Sequence, residues 1–304
     1  MSELYKELSL LGVEFYNDYP LAPHSSFKIG GAADIAVFPK DIDELRDSVL
    51  LFRSLGIKYA VFGSASNVLF SDKGYRGAVI FTKNISSVDV LDDGDATVFK
   101  VGCGVSLSAL ANKAAKMGRS GFEFLHGIPG SVGGAVYMNA GAFGSEISDV
   151  IVSVLAYNTE TDETITLSGE DCIFSYRHSI FQHHSSLICV EAQMIARQAN
   201  ADEILARMKE YKDKRMSTQP YSEASAGSFF KRPEGLFAAK LIDDCGLKGE
   251  RVGGACVSQK HAGFIVNLGG ATACDVLALA ERVRKTVYEK YGVLLEMEVR
   301  YIEE

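Results

Sequence analysis

The sequence predicts an α+β protein with two or three domains. Residues 34–38 alternate apolar and polar side chains as a strand does, whereas Ile42, Leu45 and Val49 repeat at helical spacing. Glycine-rich loops follow several predicted strands. The chain has 304 residues, 47% of them hydrophobic, which is long enough for more than one buried core.

The remaining elements follow from the same periodicities. Strands are predicted at residues 58–62, 78–81, 97–102, 187–195 and 296–302, with a hairpin formed by 150–157 and 164–167 around TETDE. Helices are predicted from Ser106, as a cap, to Gly118, and at residues 201–215, 236–245 and 274–291. The charged helix at 201–215 suits a link between domains.

Composition limits the classes of function. A net charge of −8 and a pI of about 5.4 disfavour nucleic-acid binding. Lys and Arg outnumber Asp and Glu between Arg207 and Lys260, which suits an anionic small molecule, although a solvated helix face has the same composition. The scattered cysteines predict reduced, mostly buried thiols, no metal site and a cytoplasmic protein. Neither a signal peptide nor an apolar membrane span is expected.

Two short loops after strands are candidates for phosphate binding. Residues 63–67 read GSASN, and small residues let backbone N–H groups approach phosphate oxygens. Taken alone, a plain turn is the better explanation of this loop, because neither a Walker motif nor a dinucleotide fingerprint is present. The Gly102-Cys103-Gly104 loop lacks the third glycine of a dinucleotide fingerprint, so it predicts a turn before a helix.

The block GIPGSVGGAVYMNAGAFG at 127–144 is the most informative stretch. Its glycines are too dense for a helix and its other residues too apolar for a flexible linker. Such density is expected where backbone passes close to a large planar cofactor or to other backbone. Both explanations stay open from this stretch alone.

Seven stretches match one enzyme family in order along nearly the whole chain. They are HSSFKIGGAADIAVFP (24–39), FGSASNVLFSDKGYRGAVI (62–80), GFEFLHGIPGSVGGAVYMNAGAFG (121–144), YRHSIF (176–181), SAGSFFKRPEG (225–235), HAGFIVN (261–267) and LEMEVR (295–300). Together they resemble the UDP-N-acetylenolpyruvoylglucosamine reductases, also called UDP-N-acetylmuramate dehydrogenases, which are flavoenzymes of bacterial cell-wall precursor synthesis.

The resemblance implies a fold and a reaction. The fold is the FAD-binding fold of the p-cresol-methylhydroxylase and vanillyl-alcohol-oxidase type, with a separate α+β substrate-binding domain. It divides the chain into 1–82 with a returning strand at 294–304, 83–198, and 199–293. Non-covalent FAD, reduced by NADPH, would reduce the enolpyruvyl group of a nucleotide sugar to a lactyl ether. We expect a monomer or weak homo-oligomer with no nucleic-acid or membrane partner.

The resemblance also assigns residues to the site. Cofactor contacts are implied for Gly63, Ser64, Ala65, Ser66, Asn67, Gly127, Pro129, Gly130, Ser131, Gly133, Gly134, Asn139 and Ala140. Substrate contacts are implied for Tyr176, Arg215, Lys231 and Arg232, and catalysis for Arg177, Ser228 and Glu298.

The implied roles agree with the chemistry. Hydride addition to the terminal carbon of an enol ether leaves an enolate, which needs stabilising donors and a proton. The planar fork of Arg177 matches the carboxylate. Ser228 is expected to donate the proton, because no G-x-S-x-G elbow or histidine base marks a nucleophile. A turn serine is the plainer alternative. The spacing cannot separate Glu296 from Glu298, and the family pattern favours Glu298.

Two residues depart from the family pattern, and one interval indicates a branch of the family. Ala65 stands where the family usually has glycine, which restricts φ and places a methyl group near the pyrophosphate. Arg232 stands where asparagine is frequent, and arginine only donates hydrogen bonds. The short interval between Arg177 and the strand at 187 indicates the branch without an additional tyrosine-bearing loop.

Two other functions are compatible with these residues. One is a different flavin oxidoreductase, such as a sugar or lactone oxidase, which could attach its flavin to His126, although His126 and His261 are expected to be packing or loop residues. The other is a nucleotide-sugar binding protein without activity. Release of free flavin on denaturation would argue against covalent attachment, and a binding protein predicts neither flavin nor NADPH oxidation.

Overall fold

The structure, a computed structural model, describes residues 2–303. The chain divides into two units. The first comprises Met1–Asn17, Ile35–Ser64 and Gly77–Asp213, and the second comprises Asp18–Asp34, Ala65–Arg76 and Lys214–Glu304.

The predicted helices and strands are present, with shifted ends. The helices within residues 2–303 are α1 (Ser2–Leu11), α2 (Ile42–Ser54), α3 (Leu107–Lys116), α4 (Val132–Met138), α5 (Ile180–His183), α6 (Ala201–Thr218), α7 (Ala238–Asp244) and α8 (Ala273–Tyr291). The strands are β1 (Glu14–Pro20), β2 (Ala32–Phe38), β3 (Tyr59–Phe62), β4 (Val68–Phe70), β5 (Tyr75–Phe81), β6 (Val88–Asp93), β7 (Ala96–Gly102), β8 (Arg119–Ser120), β9 (Gly141–Ala142), β10 (Ser145–Glu146), β11 (Ile151–Asn158), β12 (Glu163–Ser168), β13 (Leu187–Gln198), β14 (Arg251–Val252), β15 (Ala255–Val257), β16 (Ile265–Asn267) and β17 (Arg300–Ile302).

An antiparallel sheet forms the centre of the first unit. Its strand order is β12-β11-β13-β7-β6, and β8 also pairs with β13. The predicted hairpin is confirmed, since Val154 of β11 lies opposite Leu167 of β12. Alternate residues of these strands are buried, including Phe99 and Met194, and α3 buries Leu110 in the same core. The alternation read from the sequence therefore marks the core face correctly.

A second sheet has the order β1-β2-β5-β3, so β5 lies between the two strands joined by α2. β3 and β5 are parallel, with Val61 opposite Ile80. The side chain of Asp41 caps α2 by accepting a hydrogen bond from the amide of Glu44 at 2.9 Å. The amphipathic helix predicted here is confirmed, because Phe52 and the other apolar positions of its face are buried.

The second unit has its own core around α8. Thr272 and Asp275 form a capping box at the start of α8, and Gly292 at φ 68° ends it. The helix buries Val276 and Leu279 in a core that also contains Phe229. β14, β15 and β16 form a small antiparallel sheet, and β17 pairs in parallel with β4.

Two predictions about local structure were wrong. The glycine block contains a helix, α4, because Ser131 caps its start and Ala135 and Val136 bury its inner face. The last strand is also shorter than the predicted 296–302. Regular pairing begins at Arg300, and the preceding segment makes only an isolated bridge between Met297 and Phe230.

The thiols are placed as the composition predicts. Of the six cysteines in the sequence, Cys103, Cys172, Cys189 and Cys256 are buried, Cys245 is half-buried and Cys274 is exposed. Burial raises the pKa of the Cys103 thiol to about 11 and that of the Cys172 thiol to about 11. The hydrogen bond from Cys274 to Asp72 raises the pKa of its thiol as well.

These pKa shifts predict the reactivity of the thiols, because the thiolate is the reacting species. With a disulfide reagent near pH 7, we expect the native protein to react first at Cys274, and the buried thiols to react only after denaturation. Raising the pH should accelerate the reaction at Cys274. Cys274→Ser should remove the first phase, and prompt reaction at Cys103 or Cys172 in the native protein would contradict the placement.

No helix formed by residues 2–303 combines the length and apolar character needed to cross a membrane. Within the same residues, no group of three or more His, Cys, Asp or Glu side chains is arranged to hold a metal ion.

Candidate active site

The first glycine-rich loop packs against the glycine block within the first unit. Gly63 directly follows β3, and a Cβ atom at this position would lie 2.0 Å from Oγ of Ser131. Ser131 is buried, and its Oγ accepts a hydrogen bond from the amide of Gly134 at 3.4 Å. Glycine at position 63 is therefore required by the close approach of the two loops.

The Gly102-Cys103-Gly104 loop has a packing role. The carbonyl of Cys103 accepts a hydrogen bond from the amide of Gly133 at 2.8 Å. A Cβ atom at Gly133 would lie 2.8 Å from Cβ of Cys103, and one at Gly104 would lie 2.2 Å from the carbonyl oxygen of Thr82. Backbone packing, the plainer explanation, accounts for these glycines.

Gly134 differs from the glycines above because no packing contact within the described part of the chain requires it to be glycine. It therefore tests whether the residues fit a bound FAD. It is exposed, and among the described residues a Cβ atom here would meet only Oγ of Ser131, at an ordinary 3.6 Å. A glycine within a helix costs up to about 1 kcal/mol relative to alanine. The protein's own packing does not require glycine here, so the bare backbone is available to a ligand. The exposed residues Ser64 and Pro129 also fit a cofactor surface.

The second part of the GSASN loop belongs to the second unit. Ala65 adopts a left-handed conformation with φ 46°, and its carbonyl accepts a hydrogen bond from the amide of Ser26 at 3.2 Å. Asn67 donates from Nδ2 to the carbonyl of Glu298 at 3.1 Å and accepts from the amide of Arg300 at 3.1 Å. The loop keeps a glycine-like conformation despite the alanine, and Asn67 ties it to the Glu298 segment.

The left-handed conformation of Ala65 predicts a stabilising substitution. A non-glycine residue in this region costs about 1–2 kcal/mol, and glycine's greater freedom in the unfolded chain offsets part of that. We expect Ala65→Gly to raise the free energy of unfolding by about 0.5–1 kcal/mol in urea titrations. Ala206→Gly, in an exposed part of α6, should lower it by about 1 kcal/mol. A loss of stability in both variants would show that Ala65 is not strained.

Ser228 lies in an extended segment of the second unit. It makes an isolated antiparallel bridge with Phe264, and Gly227 before it has φ 79°. The next residue, Phe229, donates its amide hydrogen to the carbonyl of Gly263 at 2.8 Å and is buried. Ser228 is thus a half-buried hydroxyl on a rigid backbone, next to buried aromatic rings that exclude water.

The structure separates the two glutamates that sequence spacing could not distinguish. Glu296 is 71% exposed, and its Oε1 lies 2.6 Å from Nζ of Lys231. Glu298 is half-buried, and its amide donates to the carbonyl of Phe229 at 2.9 Å. Glu298 therefore lies on a segment that is hydrogen-bonded to Phe229, the neighbour of Ser228, whereas Glu296 forms an ion pair at the surface.

Arg177, in the first unit, also has a left-handed backbone, with φ 55°. Its Nη2 donates to the carbonyl of Gly141 at 3.4 Å, and its Nη1 lies 4.0 Å from Oε1 of Glu146. The guanidinium carbon lies 5.0 Å from the centre of the Tyr176 ring. The side chain is only 19% exposed, so the charge has a defined position.

Comparisons with known proteins show relatives over the whole chain. A UDP-N-acetylenolpyruvoylglucosamine reductase from Caldicellulosiruptor saccharolyticus is 46% identical and covers 98% of this chain and 94% of its own. One from Bacillus subtilis is 44% identical over 93% of this chain and 92% of its own. The chain belongs to the UDP-N-acetylenolpyruvoylglucosamine reductase family.

Family models and a crystal structure agree with this membership. Residues 33–168 match the model of an FAD-binding domain, and residues 219–302 match the C-terminal domain of this reductase family. The crystal structure of UDP-N-acetylenolpyruvylglucosamine reductase from Thermus caldophilus superposes with a TM-score of 0.78 at 35% identity, covering 95% of this chain and 98% of that chain. The predicted α+β class and FAD-binding fold are confirmed.

The cations that the resemblance assigns to substrate have partners in the second unit of this reductase. Lys231 pairs with Glu296, and the guanidinium carbon of Arg232 lies 4.9 Å from the ring centre of Phe237. Arg215 donates from Nη1 to Oε1 of Gln219 at 3.4 Å, and burial lowers the pKa of its guanidinium. Their contacts with substrate stay predictions.

Several residues assigned to the cofactor bond to the protein itself. Gly127, at φ 80°, donates its amide hydrogen to Oγ of Ser108 at 3.0 Å. The carbonyl of Gly130 accepts from the amide of Leu107 at 3.1 Å, and the amide of Ala140 donates to the carbonyl of Ala135 at 2.9 Å. Ser66 is half-buried. Contacts of all these residues with FAD stay predictions.

Sequence reasoning missed the hydrogen bond between the side chains of Asn139 and Glu146. The cofactor contact implied for Asn139 stays a prediction. The residue is buried, with φ 42°, and its Nδ2 donates to Oε2 of Glu146 at 2.7 Å. Asparagine tolerates the left-handed conformation that ends a helix. The position of Asn139 directly after an apolar stretch was the sequence signal that could have predicted the end of a helix.

Proposed function

We propose that this protein catalyses the NADPH-dependent, FAD-mediated reduction of UDP-N-acetylglucosamine enolpyruvate to UDP-N-acetylmuramate. The observation that carries the proposal is the hydrogen-bonded pairing of the Ser228 segment with the Glu298 segment, which Asn67 of the GSASN loop also binds. Membership of the reductase family supports the same reaction. A nucleotide-sugar binding protein without activity does not require a half-buried serine and a half-buried glutamate on two segments joined by a backbone hydrogen bond.

Bound FAD would supply hydride transfer, from NADPH to the terminal carbon of the enolpyruvyl group. We assign FAD contacts to the exposed backbone at Gly134 and to Ser64 and Pro129. Aligned small residues let backbone N–H groups reach phosphate oxygens without steric conflict.

Arg177 is proposed to bind the carboxylate of the enolpyruvyl group. Two parallel N–H donors match the two carboxylate oxygens, and they also stabilise the negative charge that develops when hydride is added. The limited exposure of the side chain strengthens this interaction, because a less polar environment screens charges less. Glu298 is proposed to polarise the site through a shared proton.

Ser228 is proposed to donate a proton to the carbon next to the carboxylate. The O–H bond breaks, a C–H bond forms, and the electron pair of the enolate is consumed, so hydride and proton together saturate the double bond. A neutral hydroxyl is a weak acid, but the enolate is a strong base. The rigid backbone of Ser228 fixes the face from which the proton arrives.

The wider biological setting is also inferred. The chain's net negative charge and reduced thiols support a cytoplasmic enzyme, where NADPH and a nucleotide sugar are available. We propose a monomer or weak homo-oligomer without nucleic-acid or membrane partners. The three-part division at residues 82, 198 and 293 remains our proposal for the domains.

Denaturing the purified protein tests the proposal and the nearest alternative together. The proposal expects yellow protein, release of free FAD by denaturation, and NADPH consumption that depends on UDP-N-acetylglucosamine enolpyruvate. Flavin that stays attached to the denatured chain, or NADPH consumption that depends on oxygen and not on the nucleotide sugar, would favour an oxidase. Protein that cannot be loaded with FAD would favour a binding protein.

A further inference from the structure

The turn that carries Arg177 is held in an unfavourable backbone conformation. A left-handed backbone at φ 55° is unfavourable for arginine, so neighbouring groups must hold it. Ser175 and His178 close the turn with two backbone hydrogen bonds, of 3.1 and 3.0 Å. The side chain of Gln182 donates from Nε2 to the carbonyl of Arg177 at 3.0 Å.

The same turn is anchored to the end of α4. Nε2 of Gln182 and Oγ of Ser179 each donate to the carbonyl of Tyr137 at 2.8 Å. Ser179 is fully buried. The backbone of Arg177 is therefore fixed to the glycine block by side chains outside the assigned catalytic set.

A second group of contacts reaches the guanidinium. The Glu146 carboxylate directs Oε1 toward Nη1 of Arg177 at 4.0 Å, while its Oε2 accepts from Asn139 at 2.7 Å. Asn139 also donates to the carbonyl of Ser175 at 2.9 Å and accepts from the amide of Ser148 at 3.2 Å. The buried amide thus connects the backbone of the Arg177 turn with the carboxylate that faces the Arg177 side chain.

The geometry of this pair suits an orienting contact. A distance of 4.0 Å is at the limit of an ion pair and is too long for a bidentate bond. Glu146 therefore contacts Arg177 through one long interaction and does not form the two parallel bonds of a carboxylate–guanidinium pair.

We propose that Glu146 is a positioning residue, which, with Asn139 and Gln182, holds the Arg177 fork in the orientation that binds the substrate carboxylate. This inference rests on the proposed function. It predicts that losing Glu146 affects the step in which substrate reoxidises the flavin and leaves the NADPH step unchanged.

Rapid-mixing kinetics on the FAD-loaded Glu146→Gln variant test the proposal. We expect reoxidation by UDP-N-acetylglucosamine enolpyruvate to slow by about 10-fold to 100-fold, because small errors in orientation have effects of this size. Flavin reduction by NADPH should match the wild type. Glu163→Gln is the matched control, since it removes the same charge from an exposed position on β12, and both of its half-reactions should match the wild type.

A double-mutant cycle with Arg177→Lys distinguishes positioning from a structural role. If Glu146 acts through Arg177, Glu146→Gln should slow reoxidation far less in the Arg177→Lys background than in the wild type. If Glu146→Gln slows reoxidation by the same factor in the wild type and in Arg177→Lys, the proposal is overturned. Slowing of both half-reactions by Glu146→Gln would also overturn it, since general damage to the fold acts on both.

Gln182→Met provides a second test that changes no charge. It removes the hydrogen bond to the Arg177 carbonyl, and we expect the same selective slowing of reoxidation. If Glu146→Gln does not fold, Gln182→Met tests the proposal instead. A wild-type rate of flavin reoxidation in Gln182→Met would show that these contacts do not position Arg177. Failure of the proposed function has a different signature, since the wild-type flavin itself would then not be reoxidised by the nucleotide sugar.

Discussion

Ser228→Ala should keep the reduction of FAD by NADPH at the wild-type rate and slow the reoxidation of the flavin by UDP-N-acetylglucosamine enolpyruvate by about 10²–10⁴-fold. The factor is that of a positioned proton donor. The two half-reactions should separate because the hydroxyl is required only after hydride has reached the substrate. Anaerobic rapid mixing measures each half-reaction through the absorbance of the flavin.

Two controls make the result specific. Ser222→Ala removes an exposed hydroxyl from the same unit, and both half-reactions should match the wild type. Ser228→Cys restores an ionisable X–H group and should recover part of the rate. Equal slowing of both half-reactions in Ser228→Ala would show that the serine supports the fold or the flavin and does not donate the proton.

Arg177→Lys should have the second largest effect. Lysine keeps the positive charge but has no planar fork, so one of two parallel hydrogen bonds to the carboxylate is lost. We expect about 10-fold to 100-fold slower reoxidation at saturating substrate, because the lost bond also stabilises the enolate. Weaker substrate binding should accompany the slower step.

The matched control for this variant is Arg76→Lys. Arg76 pairs with Asp34 at 2.7 Å and is 52% exposed, so the same substitution there should alter neither half-reaction. If Arg177→Lys binds substrate more weakly but reoxidises at the wild-type rate when saturated, Arg177 contributes to binding alone. If both the substrate affinity and the reoxidation rate of Arg177→Lys match the wild type, Arg177 is not part of the site.

The regular elements could be predicted because burial follows local periodicity. Apolar alternation identified the β11–β12 hairpin, helical spacing identified α2, and a following glycine marked the end of α3. The α4 helix could not be found in this way. Its Gly133 and Gly134 lower the helix propensity, and the contacts with Cys103 that stabilise it come from tertiary structure.

The residues of the site could be predicted from local motifs, but the contacts between them could not. Ser228, Glu298 and Arg177 were found through family motifs, but the pairing of Ser228's neighbour Phe229 with Glu298 depends on segments far apart in sequence. Glu146 was missed for the same reason. A lone glutamate after a glycine turn reads as a surface residue until the fold places it beside Arg177.

The most direct test of the account is one anaerobic absorbance experiment on the purified protein. NADPH is added until the flavin band bleaches, and UDP-N-acetylglucosamine enolpyruvate is then added without air. The account predicts that the yellow colour returns and that UDP-N-acetylmuramate is formed in an amount equal to the flavin reoxidised. Flavin that stays bleached until oxygen is admitted would contradict it and would favour an oxidase.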